Sequence, residues 1–186
     1  MARPLNLTNE QVLALVGASL DQTGSAWTLA KAADAAGLHA STLIKRFGSR
    51  HGLLLALSRR WIENIPVEAT TPDAHSELLD WAGSQTIGQG GAALLVTHLD
   101  MLIEDLHDNE LRALLHQGWT KLSAYLTDLV QRCQDRGEIT SRLQADAIAH
   151  LLLDTAHGAL LRAAAHPVPS QVDPGRALTT VLESLT

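Results

Sequence analysis

The sequence contains one cysteine and only four Trp, one Tyr and one Phe in 186 residues, and it lacks any apolar run of the about 18 residues that cross a bilayer. The single Cys133 excludes an intramolecular disulfide and a thiolate metal cluster within one chain, so we expect a buried apolar side chain there. The first residues lack the basic-then-apolar order of a secretory signal. We therefore expect a cytoplasmic protein with no membrane partner.

Strand signals are nearly absent as well. β-branched and aromatic residues do not cluster, alternation with a period of two is missing, and Ala and Leu fill most apolar positions, which predicts an all-α fold. Capping residues mark four N-terminal helices: a box from Thr8 to Gln11, then Thr28, His39 or Ser41, and Ser49. Five further helices are predicted over residues 73–82, 92–106, 110–136, 145–165 and 174–185.

Charge is divided unevenly along the chain. The net charge is -6, but residues 1–64 hold seven basic and four acidic side chains, a net +3, whereas residues 65–186 hold seven and 16, a net -9. A stretch rich in Pro, Val and Thr near residues 65–72 separates the two parts. A net positive N-terminal segment followed by a net negative remainder is typical of a phosphate-binding domain joined to a domain that does not bind phosphate. The charge division favours a phosphate-binding domain over 1–64 and a second domain over 65–186.

Residues 29–47 carry the strongest local signal. A helix-turn-helix needs a small residue where its helices cross, a glycine in the turn and apolar residues that wedge the pair together. Ala33, Gly37, Leu38 and Leu43 stand at those places. An ordinary helical hairpin in a core uses the same residue types, so this segment alone leaves DNA binding and simple packing both open.

A wider pattern extends over four predicted helices. Its residues are Thr28, Ala33, Gly37, Leu38, Thr42, Leu43, Phe47 and Arg50. With these residues, positions 8–64 resemble the DNA-binding domain of the tetracycline-repressor (TetR) family of transcriptional regulators. The resemblance implies three helices with a helix-turn-helix that bind DNA, followed by a C-terminal helical domain for ligand binding and dimerisation. Ile44 replaces the family's usual Tyr and cannot donate a hydrogen bond to phosphate.

The predicted contacts with a double-stranded DNA operator come from both sides of the turn. They are Thr28, His39, Ala40, Ser41, Thr42, Lys45 and Arg50. The resemblance implies phosphate contacts for Thr28, Thr42 and Arg50, and Lys45 is placed to add a positive charge beside Ile44. The front of the recognition helix can approach base edges or a thymine methyl.

The resemblance also implies a homodimer and a small-molecule effector. The last two helices would pair with those of a second copy, and residues 145–165 are apolar on more than one face, with Gly158 allowing close approach. The ligand-binding candidates are Trp81, His98, Met101, Trp119, Tyr125 and His157, which combine apolar contact with a polar tip; packing in the core is the alternative for each. Because aromatics are few, we expect a smaller apolar ligand rather than a large planar cation.

A second class of function has some support. Glu104-x-x-His107 and Asp154-x-x-His157 each place a carboxylate and an imidazole on one helical face, so a metal-dependent helical enzyme or a metal-sensing regulator is the alternative. A di-iron bundle needs two Glu-x-x-His helices and two more Glu, and the sequence lacks nucleophile and phosphate-loop motifs. We expect no catalytic residue, cofactor or metal, and a repressor that an effector releases from a palindromic operator.

Overall fold

The computed structural model describes residues 7–23, 27–85, 91–166 and 173–186, without the side chains of residues 21–23, 91–95, 97, 98 and 174. These ranges form helices and contain no strand, which confirms the all-α fold. The helices are α1 (Asn9–Thr23), α2 (Leu29–Ala35), α3 (Ala40–Phe47), α4 (Arg50–Asn64), α5 (Ala74–Ser84), α6 (Gly91–His107), α7 (Asn109–Asp135), α8 (Ala145–Ala165) and α9 (Pro174–Leu185). No described helix is long and apolar enough to cross a membrane.

Local capping chemistry sets where the first helices begin. The Thr8 N–H donates to Gln11 Oε1 at 2.9 Å and the Gln11 N–H donates to Thr8 Oγ1 at 3.2 Å, which is the predicted reciprocal box. Ser49 Oγ accepts from the Gly52 N–H at 2.9 Å at the start of α4. His39 is the residue before α3, but its side chain makes no capping hydrogen bond. The caps predicted at Thr8 and Ser49 are therefore confirmed.

Helices α1 to α4 share one apolar core. Its buried members are small or aliphatic: Val12, Val16, Ala32, Ala33, Ala36, Leu43 and Leu53. The partly buried Trp27 and Phe47 pack against them. Because Ala33 is small, α2 and α3 can approach closely at the turn that joins them.

A second core lies among α5, α7, α8 and α9. Leu126, Leu129, Ile148, Leu152 and Leu178 are fully buried there. Cys133 belongs to this core and is buried, as the sequence predicted. Burial raises the pKa of its thiol to about 11, so the sulfur stays protonated and behaves as a small apolar group.

Helix α4 connects the two cores because it packs against α1, α3 and α7. Leu54 and Leu55 of α4 form a smaller buried cluster with Leu111 of α7. At the other end of α4, Lys121 Nζ donates to the carbonyl of Ile62 at 2.8 Å. The contacts of α7 therefore extend along most of the length of α4.

Candidate DNA-binding surface and ligand cavity

Helices α2 and α3 form the predicted pair of rods around a tight turn. Gly37 has φ +63°, in the left-handed region that glycine adopts without strain. The Leu38 N–H donates to the Ala33 carbonyl at 2.8 Å, which closes the end of α2. Ala33 and Leu43 are buried between the helices. The residues that predicted a helix-turn-helix therefore perform the packing tasks the motif requires.

One face of α3 is open to solvent. Ser41 and Lys45 are exposed, as is Ile44 with 45% of its surface accessible. His39 is exposed just before the helix, whereas Ala40 and Thr42 are half-buried. No described part of the protomer covers this face, so the face is free to meet a large partner.

Thr28 combines two roles at the start of α2. Its Oγ1 accepts from the Lys31 N–H at 3.3 Å, which caps the helix. The residue is exposed, and a hydroxyl that accepts one hydrogen bond still has its own proton to donate. Thr28 can therefore hold the helix end and donate to an anion at the same time.

Arg50, the seventh predicted DNA contact, is engaged within the protomer. Its guanidinium forms a two-pronged ion pair with Glu104 of α6, including Nη2 to Oε2 at 2.7 Å, and it lies 4.9 Å from the centre of the Trp27 ring. The hydrogen bond to Glu104 raises the pKa of Arg50 and lowers the pKa of Glu104. Arg50 thus links the first turn of α4 to the last turns of α6.

A second contact joins the same two elements. His51 Nε2 lies 3.2 Å from Asp108 Oδ2, an ion contact that needs a protonated imidazole. Asp108 also caps α7 by accepting from the N–H groups of Glu110 and Leu111. The junction of α6 and α7 therefore lies against the beginning of α4, where Arg50–Glu104 is the ion pair that joins them and His51 lies close to Asp108.

A cavity of about 660 Å³ lies between α1, α4, α6, α7 and α8. Aliphatic side chains including Leu13, Leu57, Leu102 and Leu115 form most of its wall. Three of the predicted ligand residues meet there: Met101, Trp119 and His157. The rings of Trp119 and His157 lie 5.2 Å apart, and burial lowers the pKa of His157, so this imidazole favours its neutral form.

The other predicted ligand residues do not line this cavity. Trp81 packs against the C-terminal core, and Tyr125 is buried in that core. The Tyr125 hydroxyl donates to Glu77 Oε1 at 2.5 Å, and Glu77 also accepts from the N–H groups of Thr70 and Thr71. Tyr125 thus holds the segment that precedes α5. The side chain of His98 lies outside the described residues.

Two further cavity residues escaped sequence reasoning. Trp61 of α4 reaches across α7, where a Cβ on Gly118 would lie 1.9 Å from the indole. Asp105 of α6 lines the same space. Burial, together with the charges of Glu104 and Asp108, raises the pKa of Asp105 to about 6. No local pattern distinguished Asp105, because its significance depends on which helices surround it.

The alternative metal set is not assembled as its spacing suggested. Glu104 is paired with Arg50, and His107 is exposed. Among the side chains that the structure describes, no three His, Cys, Asp or Glu residues come together as metal ligands.

The C-terminal half of the chain matches a known family. Residues 88–186 match the family model of the C-terminal domain of BetI-type transcriptional repressors. This match covers more than half of the chain. No curated protein matches the chain in sequence.

Solved structures match almost the whole chain in fold. A TetR transcription regulator from Haloarcula marismortui has 18% identity and a TM-score of 0.64, over 94% of this chain and 92% of that one. A TetR-family regulator from Rhodococcus sp. has 16% identity and a TM-score of 0.66, over 94% and 96%. A transcriptional regulator from Saccharomonospora viridis, in complex with choline, has 17% identity and a TM-score of 0.65, over 92% and 93%. The chain belongs to the TetR family of transcriptional regulators, with a C-terminal half of the BetI type.

Proposed function

We propose that this regulator is a dimeric repressor. Residues 1–64 bind a palindromic operator, and residues 65–186 dimerise and bind a small-molecule effector that releases the DNA. The observation that carries the proposal is the solvent-exposed face of α3 in a member of a family of DNA-binding regulators. The cavity that touches α1 and α4 supports the effector part of the proposal. Family membership points to a regulator rather than an enzyme, and a cytoplasmic location follows from a partner that is genomic DNA.

The proposed DNA surface divides into phosphate and base contacts. Lys45 supplies an exposed positive charge on α3, and Thr28 supplies a hydroxyl donor. Both suit phosphate oxygens, and each cation that meets a phosphate releases a counterion. Ser41 lies on the exposed face near the beginning of α3, where short side chains of a recognition helix reach base edges. Ile44 on the same face offers an apolar contact in place of the family's Tyr.

Replacing Lys45 with alanine is expected to weaken operator binding for every DNA sequence alike. One lost phosphate contact should also reduce the slope of log affinity against log salt by about 1. Fluorescence anisotropy with the DNA upstream of the protein's own gene, at four or more salt concentrations, measures both effects.

Arg142→Ala is the matched control, because it removes one exposed cation from the loop before α8. It should leave the salt slope unchanged. An affinity and slope for Lys45→Ala equal to those of the unmodified protein would contradict the proposed docking face.

The effector signal can reach the DNA-binding head through α6. Met101 and Asp105 line the cavity, and Glu104, between them on the same helix, holds Arg50 of α4. A ligand that shifts the end of α6 therefore changes the position of α4 and the availability of Arg50. An effector acts only through such a difference between the two states of the protein.

Glu104→Gln is expected to raise operator affinity by about two- to fivefold, the range of an exposed ion pair. Glu104 and a DNA phosphate compete for the Arg50 guanidinium, and the amide removes the stronger competitor. Anisotropy at constant salt, on the single and double variants with Arg50→Ala, measures the effect as a double-mutant cycle.

In the Arg50→Ala background, Glu104→Gln should have no effect on operator affinity. A lower affinity for Glu104→Gln than for the unmodified protein would mean that the pair positions Arg50 for DNA instead of withholding it. That result would reverse the proposed role of the contact.

The proposed dimer uses α8 and α9. On α8, the residues at heptad spacing are Ala147, Leu151, Asp154, Gly158, Leu161 and Ala165. Leu151 and Leu161 are 43% and 55% exposed, and a Cβ added to Gly158 would meet nothing within 4 Å. This stripe, apolar except for Asp154 and uncovered by the described part of the protomer, repeats every 3.5 residues and is suited to pack against another helix. A second copy provides that helix with the symmetry that a palindromic operator requires.

A further inference from the structure

The exposed face of α3 carries one large aliphatic side chain. Ile44 is 45% exposed, and Ser41 and Lys45 beside it are exposed as well. The inner side of the same helix packs separately, because Leu43 is fully buried in the core of α1 to α4. Single exposed aliphatic side chains are common on protein surfaces. Ile44 differs from them because it lies on the face that meets DNA in the proposed function.

Helix geometry sets the direction in which Ile44 points. Ser41 lies three residues earlier, so its side chain and that of Ile44 follow one another along the same face. Lys45 lies about 100° further round the helix, so its ammonium is directed to a different side of the groove. A β-branched side chain in a helix is nearly restricted to one χ1 rotamer. Ile44 therefore presents its methyl groups in a fixed direction and loses little rotamer freedom when a partner covers them.

A DNA duplex offers few apolar groups to such a side chain. The base edges in the major groove present hydrogen-bond donors and acceptors, and the C5 methyl of thymine is the apolar group among them. The sugars lie beside the phosphates, where an aliphatic side chain displaces water from charged oxygens without replacing its hydrogen bonds. Small side chains precede Ile44 on α3, at Ala40 and Ser41, so the helix can approach the base edges closely. A thymine methyl is therefore the partner that fits Ile44.

We propose that Ile44 is a specificity-determining residue, which selects a thymine in each half of the operator by contact with its C5 methyl group. This inference rests on the proposed function, since it names what one residue of the same DNA-binding surface recognises. The replacement of the family's Tyr then adds a sequence-dependent contact as well as removing a phosphate donor. Burial of one methyl group corresponds to about a fourfold gain in affinity per half-site.

Selection of duplexes from a random pool is the first test. The full-length, unmodified protein should enrich palindromes with a thymine at one symmetric position of both half-sites. Ile44→Ala should enrich the same palindromes except at that position, where the preference for thymine should disappear. Alanine preserves the helix, because it has the highest helix propensity, and it is too short to reach the methyl group.

Deoxyuridine isolates the methyl group itself, since it pairs with adenine as thymidine does and lacks only the C5 methyl. Fluorescence anisotropy at constant salt compares the selected duplex with versions that carry deoxyuridine at the enriched position. For the unmodified protein we expect affinity to fall about fourfold when one half-site is substituted and about 15-fold when both are. Ile44→Ala should bind the thymine and deoxyuridine duplexes equally.

Ile103→Ala is the matched control, because Ile103 is 51% exposed on α6, away from the recognition helix. It should retain both the affinity and the discrimination of the unmodified protein. Ile44→Val keeps the branched Cβ and should retain most of the discrimination. Thermal unfolding of the three variants shows whether any of the changes has altered the fold.

Three results overturn the proposed role of Ile44: no thymine enriched at a symmetric position, equal affinity of the unmodified protein for the thymine and deoxyuridine duplexes, or the same deoxyuridine effect in Ile44→Ala. In that variant, an equal loss of affinity for both duplexes would assign the side chain to the sugars and also contradict the proposal. A palindrome enriched without a methyl effect would refute the role of Ile44 and leave the repressor intact. An unmodified protein that enriches no duplex would refute both.

Discussion

A chain that carries both Leu151→Glu and Leu161→Glu is expected to be monomeric and to lose specific operator binding. The two leucines are the large apolar members of the exposed stripe on α8. In a dimer each would be buried against the second copy, where an unpaired carboxylate costs several kcal/mol. Without the dimer, the two recognition helices no longer bind as one unit, and operator affinity should fall by about 100-fold or more.

Sedimentation equilibrium measures the first effect, with an expected mass of one chain, 19.9 kDa. Anisotropy on the same samples measures the second. Leu79→Glu is the control, because Leu79 is an exposed leucine of α5 outside the stripe; this variant should remain dimeric. If the double variant stays dimeric, the pairing of α8 is wrong, whatever happens to DNA binding.

Gly52→Ala should destabilise the DNA-binding head by about 1–3 kcal/mol, the usual cost of an overpacked site. A Cβ at position 52 would lie 2.0 Å from the carbonyl oxygen of Phe47, the last residue of α3. A backbone atom cannot rotate away as a side chain can, so the end of the recognition helix must move. Both the unfolding temperature and operator affinity are therefore expected to fall.

Gly83→Ala separates this clash from the general effect of replacing glycine. Gly83 lies in α5, and a Cβ there meets nothing within 4 Å, so alanine should be neutral or stabilising by up to about 1 kcal/mol. Thermal unfolding by circular dichroism, together with anisotropy, compares the two variants. Equal unfolding temperatures for the two variants would show that the junction of α3 and α4 tolerates the extra atom.

Much of the fold could be predicted because the signals were local. The box from Thr8 to Gln11 and the cap at Ser49 satisfy orphan N–H groups within one turn of their own residue. The bounds predicted for α8 and α9 agree with the structure, and those of α5, α6 and α7 differ by at most about two residues. The interval from Ala33 to Gly37 predicted the turn because only a left-handed residue lets the chain reverse there.

The candidate sites were less predictable, because they depend on distant residues. Met101, Trp119 and His157 come from three helices and meet at one cavity, whereas Trp81 and Tyr125 have the same kind of side chain and pack in the core instead. Hydrophobic periodicity identifies the inner face of a helix, but it does not show whether that face lines a cavity or packs in a core.

The sequence by itself determined the helical segments that the structure describes, the caps at Thr8, Thr28 and Ser49, and a helix-turn-helix within the net-positive residues 1–64. It could do so because capping, turn geometry and amphipathic spacing act over a few residues. Only the tertiary structure decided that Arg50 is paired with Glu104, that Trp61 crosses α7 at Gly118, and that Asp105 faces an apolar cavity. These are contacts between residues far apart in the chain, and their energies depend on how whole helices pack.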